Sequence, residues 1–277
     1  MPEDREKLFA SYPQGSHGMI EPNWRTIPKW ADDSIVIEVG TNKHPDLWKI
    51  TQETPRRQFL IALEPIEFTA VRSLCQRDGN GMCLVLPFAV STSNGMITMR
   101  VTASSVCSSL LKLNHQRNAA GDKDPCALVA QEVEVPTITL DTLVAYYVPA
   151  KLDVRLLLVD AQGFDLHVAS SLRTQRSRIA NLILECQDLA EGDQKLLAAN
   201  SSTCGMIYSC IGTHWKEFEF DGCWENMGYA EYNCGWSNVL NPLHDRSTRH
   251  PHNQYRPVVR KLRYPAKCPR WFESSLR

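Results

Sequence analysis

The stretch from Glu132 to Gln187 limits what this chain can fold into more than any other. It contains two apolar runs, each closed by a carboxylate: Val154 to Val159 ends at Asp160, and the run within Ser177 to Glu185 ends at Glu185 itself. A Gln162-Gly163 turn follows the first. A strand that is apolar along its whole length is buried on both faces, which points to a parallel sheet covered by helices. An acid at the carboxyl end of such a strand stands where open α/β sheets bind their ligands.

The rest of the chain follows the same alternation. Ser34 to Val39 reads as a first buried strand ending in Gly40-Thr41-Asn42, and Gln58 to Leu63 as a second ending in Glu64-Pro65. Ile66 to Arg77 reads as a helix stopped by Asp78-Gly79-Asn80-Gly81. Met82 to Val90 reads as a third strand, joined through an Asn94-Gly95 hairpin turn to Met96 to Val101. Residues 103–127 read as a polar loop over the sheet edge, and Val129 to Thr137 as extended chain. Leu140 to Tyr147 reads as a short helix with Thr139 as its cap. Glu217 to Asn238 is expected to add a last antiparallel hairpin. Strands alternating with helices predict a mostly parallel sheet with helices on both faces.

The chain divides into a polar arm over 1–32, a domain over 33–240, and a Pro-, His- and Arg-rich extension over 241–277 that wraps the surface. Trp24 and Trp30 are expected to pin the arm to the core. With 43 % apolar and 22 % charged residues, the composition is that of an ordinary globular protein. A net charge of −1 argues against a nucleic-acid partner, and the basic run from Arg256 to Arg270 reads as a solvated tail. No apolar run reaches the roughly 20 residues that span a bilayer. The polar start carries no signal core, so the expected location is cytoplasmic, with a secretory lumen as the alternative if an anchor precedes it.

Ten cysteines are many for a cytosolic enzyme. No Cys-x-x-Cys pair suggests zinc. Cys83, Cys107 and Cys186 lie in apolar segments and read as small core residues. Cys204, Cys210, Cys223 and Cys234 crowd together; they are free thiols in a reducing compartment, or one or two disulfides in an oxidising one.

Two motifs suggest a nucleotide-like ligand. Glu38-Val39-Gly40-Thr41-Asn42 closes a strand with a glycine that lets backbone approach a ligand. Glu64 closes the next strand, about 20 residues on, where such folds hydrogen-bond ribose hydroxyls. Together with Phe88-Ala89-Val90-Ser91 and Asn94-Gly95, Ser108-Ser109-Leu110, Thr137-Ile138-Thr139-Leu140-Asp141-Thr142-Leu143 and Val159-Asp160-Ala161-Gln162-Gly163-Phe164-Asp165, these motifs resemble the FkbM-type S-adenosylmethionine-dependent methyltransferases. The resemblance covers most of Ser34 to Asn238. Leu158 stands where the family usually has lysine, and Lys43-His44-Pro45-Asp46 where it usually has a further glycine.

The resemblance implies a Rossmann-like, mostly parallel seven-stranded sheet with a final antiparallel strand. It implies S-adenosylmethionine as cofactor, held by Glu38, Gly40, Asn42, Glu64, Ala89, Val90 and Ser109, with Ser108 nearby. The implied reaction is O-methylation of a sugar, glycoconjugate or secondary metabolite. Asp160 is the first candidate base; its other reading is a turn cap. Asp165, before Leu166-His167, reads first as a cap. A magnesium ion on Asp160 with Asp165 or Glu185 stays open without direct support. His214 is the second catalytic candidate, as an imidazole titrating near neutrality. His244, His250 and His252 match no common metal spacing. The late aromatics, Trp215, Phe218, Phe220, Trp224, Tyr229, Tyr232 and Trp236, read mainly as core. The alternative function is a non-catalytic methyltransferase-like binding or regulatory protein, suggested by Lys43-His44-Pro45; a nucleoside-binding domain with another cofactor is a third reading. The acceptor is a small molecule or glycan, and nothing in the sequence indicates an oligomeric state.

Overall fold

The computed structural model describes residues 35–43, 45–47, 58–78, 83–113, 125–126, 128–190, 196, 198, 201–226, 231–241 and 266–276. The arm with Trp24 and Trp30, His44, Tyr229, and the histidines at 244, 250 and 252 lie outside the described residues.

Ten strands form two sheets. The main sheet holds β1 (Ile35–Val39), β2 (Phe59–Leu63), β3 (Cys83–Leu86), β7 (Val154–Val159), β8 (Asn181–Gln187), β9 (Phe218–Asn226) and β10 (Glu231–Asn238). Its order is β3-β2-β1-β7-β8-β10-β9. All neighbours are parallel except around β10, which runs antiparallel to both β8 and β9. The chain starts at the centre, winds out to β3, then returns past β1 to β7. The direction of winding therefore reverses between β1 and β7.

The burial pattern shows why these segments are strands. All five residues of β1 and all five of β2 are buried. Ile35, Ile37 and Val39 face one core with Phe59, Ile61, Leu63, Leu157 and Val159. Val36, Leu60, Ala62, Leu156 and Leu158 face a second core with Val71 and Cys75. Side chains alternate across a strand, so an unbroken apolar run supplies both layers. Helix α1 (Phe68–Asp78) covers the second face. Helices α2 (Leu140–Tyr147), α3 (Asp165–Ser170) and α4 (Cys204–His214) cover the first, joined by Phe272 of α5 (Arg270–Ser275).

Thr139 caps α2 as expected, its hydroxyl accepting from Thr142 N at 3.1 Å. Asp141 then braces the chain after α3, accepting from the N–H groups of Arg173 (2.8 Å), Thr174 (3.0 Å) and Gln175 (3.1 Å). The Thr-Leu-Asp motif is thus a helix start that also holds a turn.

Three expectations are corrected. The segment Met82 to Val90 is not one strand: β3 ends at Leu86, and Ala89–Val90 (β4) joins a separate three-stranded sheet. Pro87 lies at the break, where the missing N–H ends the ladder. Asn94-Gly95 does not close a hairpin either. Strand β6 (Val129–Ile138) lies between β4 and β5 (Gly95–Thr102), parallel to the first and antiparallel to the second. Asn94 instead accepts from Thr139 N at 2.8 Å and donates to the Thr142 hydroxyl at 3.0 Å, tying this loop to the start of α2.

The third correction concerns cysteine. All ten are paired: Cys75–Cys83, Cys107–Cys126, Cys186–Cys204, Cys210–Cys268 and Cys223–Cys234. Only the last pair lies within the cluster that stood out in the sequence. Cys83, Cys107 and Cys186 are disulfide partners rather than lone core thiols. The Cys186, Cys204 and Cys234 sulfurs lie within 4.8 Å of one another, but disulfide bonding removes the thiolates that a metal would need. Trp215, Phe218, Trp224 and Trp236 are buried, as a core role requires. Among the described residues no helix is long and apolar enough to cross a membrane.

Candidate functional site

The reversal between β1 and β7 brings the ends of four strands together. Gly40 N donates to Leu63 O at 3.0 Å and Asp160 N to Val39 O at 3.0 Å, so the turns after β1 and β7 leave the sheet side by side. Gly40 has φ +82°, and a Cβ there would fall on the Asp160 carbonyl oxygen. The turn after β1 therefore needs glycine both for its left-handed backbone and for contact with the neighbouring strand.

Glu38 is 3 % exposed and points under this turn. Its two oxygens accept from Asp46 N at 2.8 Å and Leu47 N at 2.9 Å. Burial pushes its pKa from 4.5 up to about 8, against the two N–H donors and with Asp46 and Asp160 adding to the rise. Glu38 thus braces the loop from beneath. An acid with a raised folded pKa binds its proton more tightly in the native state, so its contribution is full below pH 4.5 and lost as pH rises towards about 8. The loss is on the order of a few kcal/mol. Glu38→Gln is expected to flatten the dependence of unfolding free energy on pH across that window. An unchanged slope in denaturant titrations would remove this assignment.

Glu64 is also committed to backbone. Oε1 accepts from Ile66 N (2.7 Å) and Glu67 N (2.9 Å), at the approach to α1, and Oε2 from Asn42 N (2.8 Å). Burial raises its pKa against these three donors. A carboxylate offers about four acceptor directions, so one remains, on Oε2. Asn42, at φ 47°, accepts from the Ser105 hydroxyl at 3.2 Å. Lys43 turns outward, 3.5 Å from Glu67, and does not crowd the glycine turn.

On the other side of the reversal, Asp160 is bound by the Gln162 side-chain amide, with Nε2 2.5 Å from its Oδ1. The same Nε2 lies 3.0 Å from Glu185 Oε2. Gln162 (φ 49°) and Gly163 (φ 88°) are both left-handed, and a Cβ on Gly163 would lie 2.5 Å from Ser201 Oγ. Asp165 is fully buried and accepts from Ala161 N (3.2 Å) and Gly163 N (3.1 Å), so it holds the turn before α3 rather than capping the helix. Burial, then the nearby Asp160, raises its pKa well above the usual carboxylate range. Ser109 donates to Gln162 O at 3.0 Å and accepts from Leu111 N at 3.2 Å. Ser108 accepts from Thr102 N at 3.2 Å. Ser109 thus docks the 103–113 segment onto the turn, while Ser108 ties it back to β5. Ala89 and Val90 are buried in the small sheet, just beyond the end of β3.

His214 is placed elsewhere. Thr203, the cap of α4, bridges to Gln187 at the carboxyl end of β8. The helix then runs about 16 Å back along the sheet, at 1.5 Å per residue, and ends at His214. There the imidazole lies 3.7 Å from Glu273 and tilts against Phe272. The role of His214 as a base beside Asp160 does not fit this geometry. A helix that follows a strand carries its last residue to the opposite edge, and helix length alone could have indicated this. The sequence reading undervalued Gln162 and assigned Glu185 only to an optional metal, because a polar side chain in a turn has many uses.

The cluster of Glu38, Glu64, Asp160, Asp165 and Glu185 favours a cationic ligand over an anionic one. The Thr41 hydroxyl, buried in the glycine turn, has no partner among the described residues, leaving a polar group for a ligand to satisfy. Both features are compatible with S-adenosylmethionine, whose sulfonium and ammonium groups outweigh its single carboxylate.

A seven-stranded sheet of this order, with an antiparallel strand near its edge and acids at the central strand ends, defines a class I methyltransferase fold. The chain matches the model of the methyltransferase FkbM domain over residues 38–245 and belongs to that family. The family and fold support methyl transfer from S-adenosylmethionine. Curated proteins give no match. Solved structures give distant ones. The M. capricolum TrmK complex with S-adenosyl-homocysteine is 9 % identical, at TM-score 0.37 over 79 % of this chain and 69 % of that one. An rRNA methylase from Streptococcus thermophilus is 8 % identical, at TM-score 0.37 over 76 % and 92 %. The mitomycin 7-O-methyltransferase MmcR is 10 % identical, at TM-score 0.40 over 86 % of this chain and 58 % of its own length.

Proposed function

We propose that this protein transfers a methyl group from S-adenosylmethionine to a hydroxyl of a sugar, glycoconjugate or secondary metabolite. Asp160 acts as the base. The observation that carries the reading is the position of Asp160: at the carboxyl end of β7, next to the Gly40 turn across the topological switch of the sheet. When bound, the cofactor supplies an electrophilic methyl group on its sulfonium. The chain's own task is to align the acceptor oxygen and remove its proton. A carboxylate at Asp160, fixed by the Gln162 amide, can accept that proton.

In this reading the remaining acceptor direction of Glu64 takes a ribose hydroxyl. Gly40 and Asn42 lie along the cofactor, with Ala89 and Val90 towards the adenine. Glu38 and Ser109 act on it indirectly, by holding the loops that enclose it. Residues 33–240 form the catalytic domain. The segment from residue 266 is an appendage anchored by Cys210–Cys268 and the buried Phe272. Five disulfides with no free cysteine support an oxidising compartment as the place of work.

Calorimetric titration tests the reading. S-adenosylmethionine is expected to bind, and Glu64→Ala to weaken it by roughly 10-fold, as the loss of one charge-assisted hydrogen bond implies. Asp160→Asn is expected to keep binding and to lower turnover at least ~100-fold once an acceptor is found. No binding at millimolar cofactor would remove the assignment; full turnover by Asp160→Asn would remove the base.

A further inference from the structure

Asp160 is not an isolated carboxylate. Its neighbour on the next parallel strand is Glu185, since Val159 pairs with Leu184 in the β7–β8 register. Glu185 is 7 % exposed. The Gln162 amide nitrogen bonds both carboxyl groups, at 2.5 Å from Asp160 Oδ1 and 3.0 Å from Glu185 Oε2, so the two buried acids are held close to each other. Two ionised carboxylates held this close in a buried site repel each other, and one proton on the pair relieves that repulsion. Gln162 is held for this task. Its backbone is left-handed, its carbonyl accepts from Ser109, and the next residue is a glycine packed on Ser201.

The other charged groups that act on Asp160 do not oppose the sharing. Asp46 from the loop after β1, Glu38 from β1 and Asp165 from α3 are all acids. Burial raises the pKa of Asp160, and Asp46 adds to the rise, while the hydrogen bond from Gln162 opposes it.

We propose that Asp160 and Glu185 hold one proton between them in the free protein, and that Glu185 is the positioning residue that decides when Asp160 becomes a free base. The proposal rests on the cofactor and base assignments made above. A sulfonium placed before the pair favours its doubly ionised form, so binding of S-adenosylmethionine expels the shared proton to solvent. S-adenosylhomocysteine has a neutral sulfur and expels less. The base is therefore released when the methyl donor arrives and reprotonated when the product remains. In the variants Glu185→Gln and Asp160→Asn, one carboxyl is neutral throughout, so no shared proton exists to be expelled.

The test is calorimetric titration of the full chain with S-adenosylmethionine at about pH 6, in buffers of low and high protonation enthalpy such as phosphate and imidazole. This pH is above the ordinary carboxylate range. The wild type is expected to release roughly 0.5–1 proton per cofactor bound, and less than half of that with S-adenosylhomocysteine. Glu185→Gln and Asp160→Asn are each expected to abolish the release while still binding the cofactor. Glu38→Gln, which removes the other nearby acid on β1, is expected to retain it. Binding by the wild type without proton release, or unchanged release from Glu185→Gln, overturns the shared-proton pair and leaves the cofactor assignment intact. Absence of cofactor binding overturns the cofactor assignment, and this proposal with it.

Discussion

Gly40→Ala is expected to destabilise the protein by roughly 3–5 kcal/mol, combining a left-handed alanine with a steric conflict in a packed interior. The added methyl group would meet the Asp160 carbonyl oxygen, which is backbone and cannot rotate away. Moving that oxygen means moving the end of β7, whose Asp160 N is bound to Val39 O. That is a large fraction of the roughly 5–15 kcal/mol that typically holds a domain together. Denaturant unfolding at neutral pH measures it. A midpoint within error of the wild type would show that the β1 and β7 turns do not meet as described. Gly95 is a useful contrast: its φ is +143°, but a Cβ there meets nothing within 4 Å, so Gly95→Ala should cost much less.

The second large effect is expected from the disulfides. In the chain-entropy account, each closure stabilises by roughly 2.5–4 kcal/mol, more for longer loops. Cys210–Cys268 spans 58 residues, the longest closure, and ties the C-terminal segment to α4. Replacing both of its cysteines by serine should lower stability by about 4 kcal/mol and release Phe272, which is fully buried, from the core. Mass spectrometry of non-reduced protein is expected to find five internal pairs and no free thiol. Cys186, Cys204, Cys210, Cys223 and Cys234 are each at most 2 % exposed, so they should resist reductants until the chain is unfolded. Free Cys223 and Cys234 in protein purified without reductant would count against both the pairing and an oxidising compartment.

Local chemistry was legible in the sequence where one residue type has one physical use. Thr139 caps α2 because a threonine before an amphipathic run leaves its hydroxyl facing free N–H groups. The final hairpin expected over Glu217 to Asn238 is present as β9 and β10. Asn94-Gly95 misled because its hairpin signal is local, whereas the partner of β5 is β6, some thirty positions along the chain. Asp165, expected as a helix cap, is instead the first residue of α3 and accepts from the turn before it, at Ala161 N and Gly163 N. Glu64 was placed correctly at a strand end, but only its three N–H partners reveal how little acceptor capacity it keeps for a ligand.

Two kinds of information thus separate. Alternation, buried strands, the Gly40 turn and the acids at strand ends are written in the chain itself, because burial and backbone conformation select residue types position by position. Which acids meet, which cysteines pair, and which end of α4 carries His214 were decided only by tertiary structure. Those outcomes depend on strand order and on the reversal between β1 and β7, which bring together residues that no local pattern links. The pair of Asp160 and Glu185 shows the difference. Each acid was visible as the end of an apolar run, but their hydrogen-bonded contact through Gln162 exists only because β7 and β8 lie side by side.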